Sequence, residues 1–148
     1  MAASMIVTPY AQGAMWAAWA QGKAARLCLA QNAGSLTQAS TTAQWDAAEI
    51  SGNGYSRFTW TLPAGSYDGT AGRFQAPVQQ ATFTASSAGV GLSFNALYLV
   101  LGSGTGQNIT WDTGITAIFA ESPSVALAPG EPRAYNVRLF TDNIIATS

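Results

Sequence analysis

The chain has 148 residues, of which 48% are hydrophobic and only 9% charged, with six basic groups, seven acidic groups and no histidine, for a formal net charge of −1. A length like this predicts one compact domain with a real core, and hydrophobe-rich, charge-poor composition excludes global disorder. The single lysine, Lys23, and five scattered arginines give no basic footprint for nucleic acid.

Other classes fall on the same grounds. The most apolar run, Ala96 to Leu101, is far shorter than the roughly 20 residues a membrane-spanning helix needs, and no basic segment followed by an apolar stretch marks a secretory signal. No membrane partner is expected. Thirteen serines and fifteen threonines stand where charges would normally cover the surface. Such a surface loses little on meeting another protein, because few charges must be desolvated.

In chain order, Ala11 to Gln21 is rich in alanine and sets Met15, Trp16 and Trp19 at helical spacing between Gly13 and Gly22. A short helix is expected there. One of that size needs something to dock on. Its tryptophans either cap the chain's own core or anchor a neighbouring subunit. We therefore separate an N-terminal arm, residues 1–23, from a β-domain, residues 24–148.

From Ala24 the period falls to two. Arg26 to Ala30 reads as a strand, with the lone Cys28 as a small buried hydrophobe rather than a reactive thiol. Gln38 to Glu49 reads as a helical turn or an irregular loop. Ser51-Gly52-Asn53-Gly54 is a turn, and the alternation after it makes Phe58, Trp60 and Leu62 core-facing until Pro63 ends the strand. Gly65 to Gly72 is expected to be a loop. Ala81, Phe83 and Ala85 alternate with threonines as a half-buried strand, and Val90 to Leu101 becomes continuously apolar, as in a strand covered on both faces. Gly102 to Gly106 is read as a flexible tip rather than a phosphate loop, since no Lys-Ser/Thr end follows. Ile115 to Phe119 and Ser124 to Ala128 are two strands with Pro123 between them. Ala128-Pro129-Gly130-Glu131 is a type II turn leading into a final hairpin through Tyr135, Val137 and Leu139, and Asn143 to Thr147 is a short edge strand. These elements make a mainly β chain, an antiparallel, jelly-roll-like β-sandwich with a short N-terminal helix.

Few residues in the chain could carry chemistry. Without histidine, Ser-His-Asp and Cys-His arrangements cannot be built. Asp46 and Glu49 could share a helical face, but capping or a solvated turn is the plainer reading. Asp68, Asp112 and Asp142 are isolated, with no spaced acidic loop for calcium. No enzyme, cofactor or metal is expected. Tyr55 and Arg57 share one face of their strand, either to pair with a carboxylate such as Asp112 or Glu121 or to touch a partner subunit. The interface candidates are thus Met15, Trp16, Trp19, Tyr55 and Arg57.

The order of these features resembles that of small virion structural proteins of tailed bacteriophages, including phages of cyanobacteria. It is carried by Tyr10-Ala11-Gln12-Gly13 with its tryptophans, Arg26-Leu27-Cys28-Leu29-Ala30, Gly54-Tyr55-Ser56-Arg57, Ala81-Thr82-Phe83-Thr84-Ala85, the long apolar strand and the turn at Pro129-Gly130. The resemblance implies a capsid cement or decoration protein, made in the host cytoplasm and seated on the capsid exterior. It would bridge major capsid protein subunits and associate with itself as a trimer at three-fold positions. A different role, glycan recognition on a tail or head fibre, would need Trp45, Trp60 or Trp111 as exposed stacking platforms.

Overall fold

The computed structural model describes residues 3–6, 8–141 and 144–147. In chain order its elements are β1 (Ala3–Ile6), α1 (Pro9–Trp19), β2 (Ala24–Ala30), α2 (Thr42–Ala47), β3 (Phe58–Thr61), β4 (Ser66–Asp68) and β5 (Arg73–Gln75). They continue with β6 (Gln79–Thr84), β7 (Leu92–Ser103), β8 (Thr110–Trp111), β9 (Ala117–Leu127), β10 (Pro132–Val137), β11 (Phe140–Thr141) and β12 (Ile144–Thr147). The fold is mainly β, with antiparallel sheets and a short N-terminal helix, and among the described residues no sheet closes into a barrel. Asn143 and Asp142 lie outside the described residues; the rest of the expected edge strand is β12, paired with β1.

Two compact units divide the chain: residues 1–23, 61–79 and 136–148 form one, and residues 24–60 and 80–135 the other. That division differs from a simple break after residue 23, for a reason visible in α1. Thr8 caps the helix by accepting from Ala11 N, and Pro9 occupies the first turn, where its missing N–H costs nothing. The helix then buries Gln12, whose Oε1 accepts from Phe74 N at 2.6 Å, and Trp16, whose Nε1 donates to the Pro63 carbonyl at 3.1 Å. Both anchors come from 61–79, so the helix is tied into a unit rather than projecting as an arm. In the same unit, β4 and β5 form a hairpin where the sequence suggests only loop. Asp68 Oδ1 accepts from Thr70 N and Ala71 N, and Gly72 at φ 68° turns the chain back.

The second unit is built on a sheet of order β3-β2-β7-β8, with β9 also paired to β7. The continuous apolar run predicts its centre correctly: β2 is buried at every position and β7 from Ala96 to Gly102. On one face Cys28, Ala30, Ala96, Tyr98 and Val100 pack with Trp45 of α2. The six-residue α2 is fixed by a reciprocal cap, in which Thr41 Oγ1 accepts from Gln44 N while Gln44 Oε1 accepts from Thr41 N.

The structure departs from the sequence pattern in three places. The two strands placed around Pro123 are one strand, β9, whose halves pair with Ala96–Leu99 and Leu92–Phe94 of β7 on either side of a bulge at Glu121–Ser124. The Pro-Gly turn forms as expected, with Gly130 at φ 80° and Glu131 N donating to Ala128 O at 2.9 Å, but β10 pairs with β6 rather than closing a hairpin on β9. The turn docks on the end of β6, where Gly130 N donates to Ala85 O and Ala85 N to Glu131 O, and this sends β10 along that strand. Finally, Phe58 and Trp60 are half-buried and lean on each other at 5.6 Å, so of the three expected core residues only Leu62 is fully buried.

Candidate functional site

Eight of the chain's thirteen charged residues lie in the second unit, and four of them meet in one network. Arg26, in the middle of β2, faces Val100 across the ladder, and Cys28 faces Tyr98, so the guanidinium emerges under α2. That helix lowers Asp46 onto it. Arg26 Nη2 donates to both Asp46 oxygens, at 2.9 and 2.8 Å, and Tyr98 OH donates to Oδ1 at 2.7 Å. Just beyond the helix, Glu49 accepts from Tyr55 OH at 2.6 Å and from Arg57 Nε and Nη2 at 2.8 and 2.6 Å, a two-toothed clamp. Arg57 Nη2 also lies 3.9 Å from Asp46 Oδ2, so one cation spans both carboxylates. The Tyr55 hydroxyl in turn accepts from Leu29 N at 3.1 Å.

Tyr55 and Arg57 therefore pair with Glu49, not with Asp112 or Glu121. The cause is the Ser51-Gly52-Asn53-Gly54 turn, in which three consecutive residues have positive φ and reverse the chain beside Glu49. Glu121 belongs to another set, accepting from Tyr135 OH at 2.6 Å with Arg133 Nη2 at 3.5 Å. Among the described residues no cluster of metal-ligating side chains occurs, and Asp68 is spent on its turn.

The electrostatics lock the network together. Burial pushes the Glu49 carboxyl up, but the hydrogen bonds from Arg57 and Tyr55 outweigh it and hold the group below the usual carboxylate range. Burial and the nearby carboxylates drive the Tyr55 and Tyr98 phenols well above their ordinary range, and burial, with Glu49 close by, pushes the Cys28 thiol up to about 12. At neutral pH Glu49 is charged and saturated with donors, while Cys28 is a protonated thiol with no nucleophilic character.

A pH profile follows. Glu49 binds protons less readily in the fold than its ordinary 4.5, so its contribution is full above that value and lost as pH falls through the depressed one. Cys28 and Tyr135, raised to about 12 from 9.0 and 10.0, hold protons the unfolded chain would release, so their contribution is full below about 9 and lost as pH rises. With no histidine to titrate between, denaturation midpoints are expected to be flat from about pH 5.5 to 8.5 and to fall on both sides. A midpoint that drifts across pH 6–7 would contradict this.

Beside the network opens a cleft of about 460 Å³, lined by Arg26, Thr42, Asp46, Trp111, Asp112 and Thr113, among others. Gly102 leaves room for Trp111, since a Cβ there would meet the Trp111 ring at 2.7 Å, and the Arg26 guanidinium stacks 4.8 Å from the centre of that ring. Trp45 is buried, with Nε1 donating to Thr37 O at 3.1 Å, and Trp60 and Trp111 are half-buried, so none of the three candidate stacking platforms is exposed.

The N-terminal candidates divide. Trp16 is wholly buried and meets Trp19 edge-on at 6.0 Å, whereas Met15 and Trp19 remain 49% and 41% exposed, and Tyr10, at 88%, is almost bare. No residue of α1 is charged, and its one amide side chain, Gln12, is buried. The exposed residues of the helix are therefore Pro9, Tyr10, Ala14, Met15, Ala17, Ala18 and Trp19. Gln12, Arg26 and Tyr98 are structural centres that sequence reasoning passed over. For Arg26 the signal was present, as a lone charge inside an apolar strand. No protein-family model, curated protein or solved structure matches this chain.

Proposed function

We propose that this chain is a non-enzymatic virion subunit, a cement protein that bridges major capsid protein subunits on the outside of a bacteriophage head. The observation that carries the reading is the charge-free exposed surface of α1, a capped and anchored helix that presents Met15 and Trp19 together on one face and Tyr10 at its start. A helix apolar on its outward side is ordinarily a covered helix. The short, phage-like motif order in the sequence supplies the setting. The mechanism is mass action: a subunit that binds only the assembled shell stabilises it in proportion to its occupancy.

The test is stoichiometry by quantitative mass spectrometry of purified particles of a phage encoding the chain. Hundreds of copies per particle support cement, and a handful of copies overturns it in favour of a tail component. Met15→Glu with Trp19→Glu is expected to lower occupancy at least tenfold while leaving the isolated chain folded, because both side chains are already exposed. Surface substitution is preferable to removing residues 1–22, since Gln12 and Trp16 hold their own compact unit together.

A further inference from the structure

We infer that β9 pairs edge to edge, antiparallel, with β9 of a second copy of this chain. On one side Ala117–Ala120 is hydrogen-bonded to Ala96–Leu99 of β7. Among the described residues no strand lies on its other side. All four residues are exposed, and Ile118 and Phe119, 38% and 57% exposed, project to opposite faces. This stretch of backbone is open along its edge and apolar above and below.

Edge strands are ordinarily blocked by lysine, proline or an outward charge. Here no charged residue and no proline occurs from Thr113 to Ala120. The nearest charge, Glu121, is turned away and compensated by Tyr135 and Arg133. Pro123 sits beyond it, inside the Glu121–Ser124 bulge that ends the regular pairing. The open edge is thus short, neutral and sharply bounded, which suits a specific contact better than indefinite stacking.

A second copy is the occupant because the segment complements itself. Two antiparallel strands related by a two-fold axis set one residue against its own copy. With the axis at Ile118, isoleucine meets isoleucine, Ala117 meets Phe119 as small against large, and Glu121 falls opposite Ile115, so no like charges meet. One contact satisfies the outward backbone groups and covers both exposed side chains. It makes the self-associating unit a dimer, where the resemblance implied a trimer, and it holds whether or not the chain decorates a capsid.

Sedimentation equilibrium of the full chain tests it. The wild type is expected at twice its 15.3 kDa mass, and Ile118→Lys with Phe119→Lys at the single mass with an unchanged circular dichroism spectrum. Should the lysine variant unfold, Ile118→Thr with Phe119→Thr keeps strand propensity while removing the apolar pair, and is expected to weaken association at least tenfold. Ile118→Cys is expected to form a covalent dimer on mild oxidation, because facing residues lie within disulfide reach, while the wild type, with its only thiol buried at Cys28, does not. A wild type that stays monomeric at sub-millimolar concentration, a dimer that survives both double substitutions, or an Ile118→Cys variant that fails to cross-link overturns the inference. Loss of capsid occupancy with the dimer intact would sink the cement reading alone.

Discussion

Asp46→Ala is expected to destabilise the second unit by about 3–5 kcal/mol, while Arg26→Met, which breaks the same ion pair from the other side, costs about 1–2 kcal/mol. The asymmetry follows from burial. Arg26 is 2% exposed and Asp46 31%. Removing the carboxylate leaves a guanidinium in the interior with its Nη2 bonds gone and its Nε already without a partner. An arginine cannot escape by losing its proton, so the full penalty of an unpaired buried charge falls on the fold. Removing the arginine leaves Asp46 partly in water, still accepting from Tyr98 and still within 3.9 Å of Arg57. Methionine also fills most of the vacated volume beside Trp111. Urea midpoints of the two single variants and the double variant separate these terms, and the double is expected to lie close to Arg26→Met. Equal losses from the two single variants would show that burial does not govern the pair.

The same pair marks where sequence reading reached and where it stopped. Elements defined by their own residues were legible. The alternation in β2, the apolar run in β7, the helix bearing Trp16 and the Pro129-Gly130 turn each announce themselves locally, because side-chain period and positive φ are local properties. Partnerships were not. Nothing within Tyr55-Ser56-Arg57 says that Glu49 is its carboxylate, because that choice depends on a three-residue reversal at Gly52, Asn53 and Gly54. Likewise β10 finds β6 rather than β9, since Gly130 and Glu131, the last two residues of the turn that precedes it, are both held by Ala85. The interface candidates split for the same reason. Met15, Trp16 and Trp19 lie on one short helix, yet only the contact with Pro63, distant in sequence, decides that Trp16 is core while its neighbours stay exposed.

Trp45→Ala is expected to be as damaging as Asp46→Ala, at about 3–5 kcal/mol, and to act through a different route. Helix α2 has six residues, too few to persist without tertiary support, and Trp45 is the side chain that seats it, 1% exposed and tilted on Tyr98 at 5.4 Å. Removing the ring opens a cavity over Cys28, Ala30 and Val100 and loosens the helix that carries Asp46 above Arg26. Trp45→Phe keeps an aromatic face against Tyr98 and loses the Nε1 bond to Thr37 O, so it is expected to cost about 1–2 kcal/mol. The two variants differ in a second readout. If α2 is what brings the carboxylates to their partners, Trp45→Ala also flattens the acid limb of the stability profile, because Glu49, which follows the helix, no longer gains the full hold of Arg57 and Tyr55. Trp45→Phe leaves that limb in place. An acid limb unchanged in Trp45→Ala would mean that the Glu49 cluster is held by the Gly52–Gly54 reversal alone, and that the helix contributes packing without positioning.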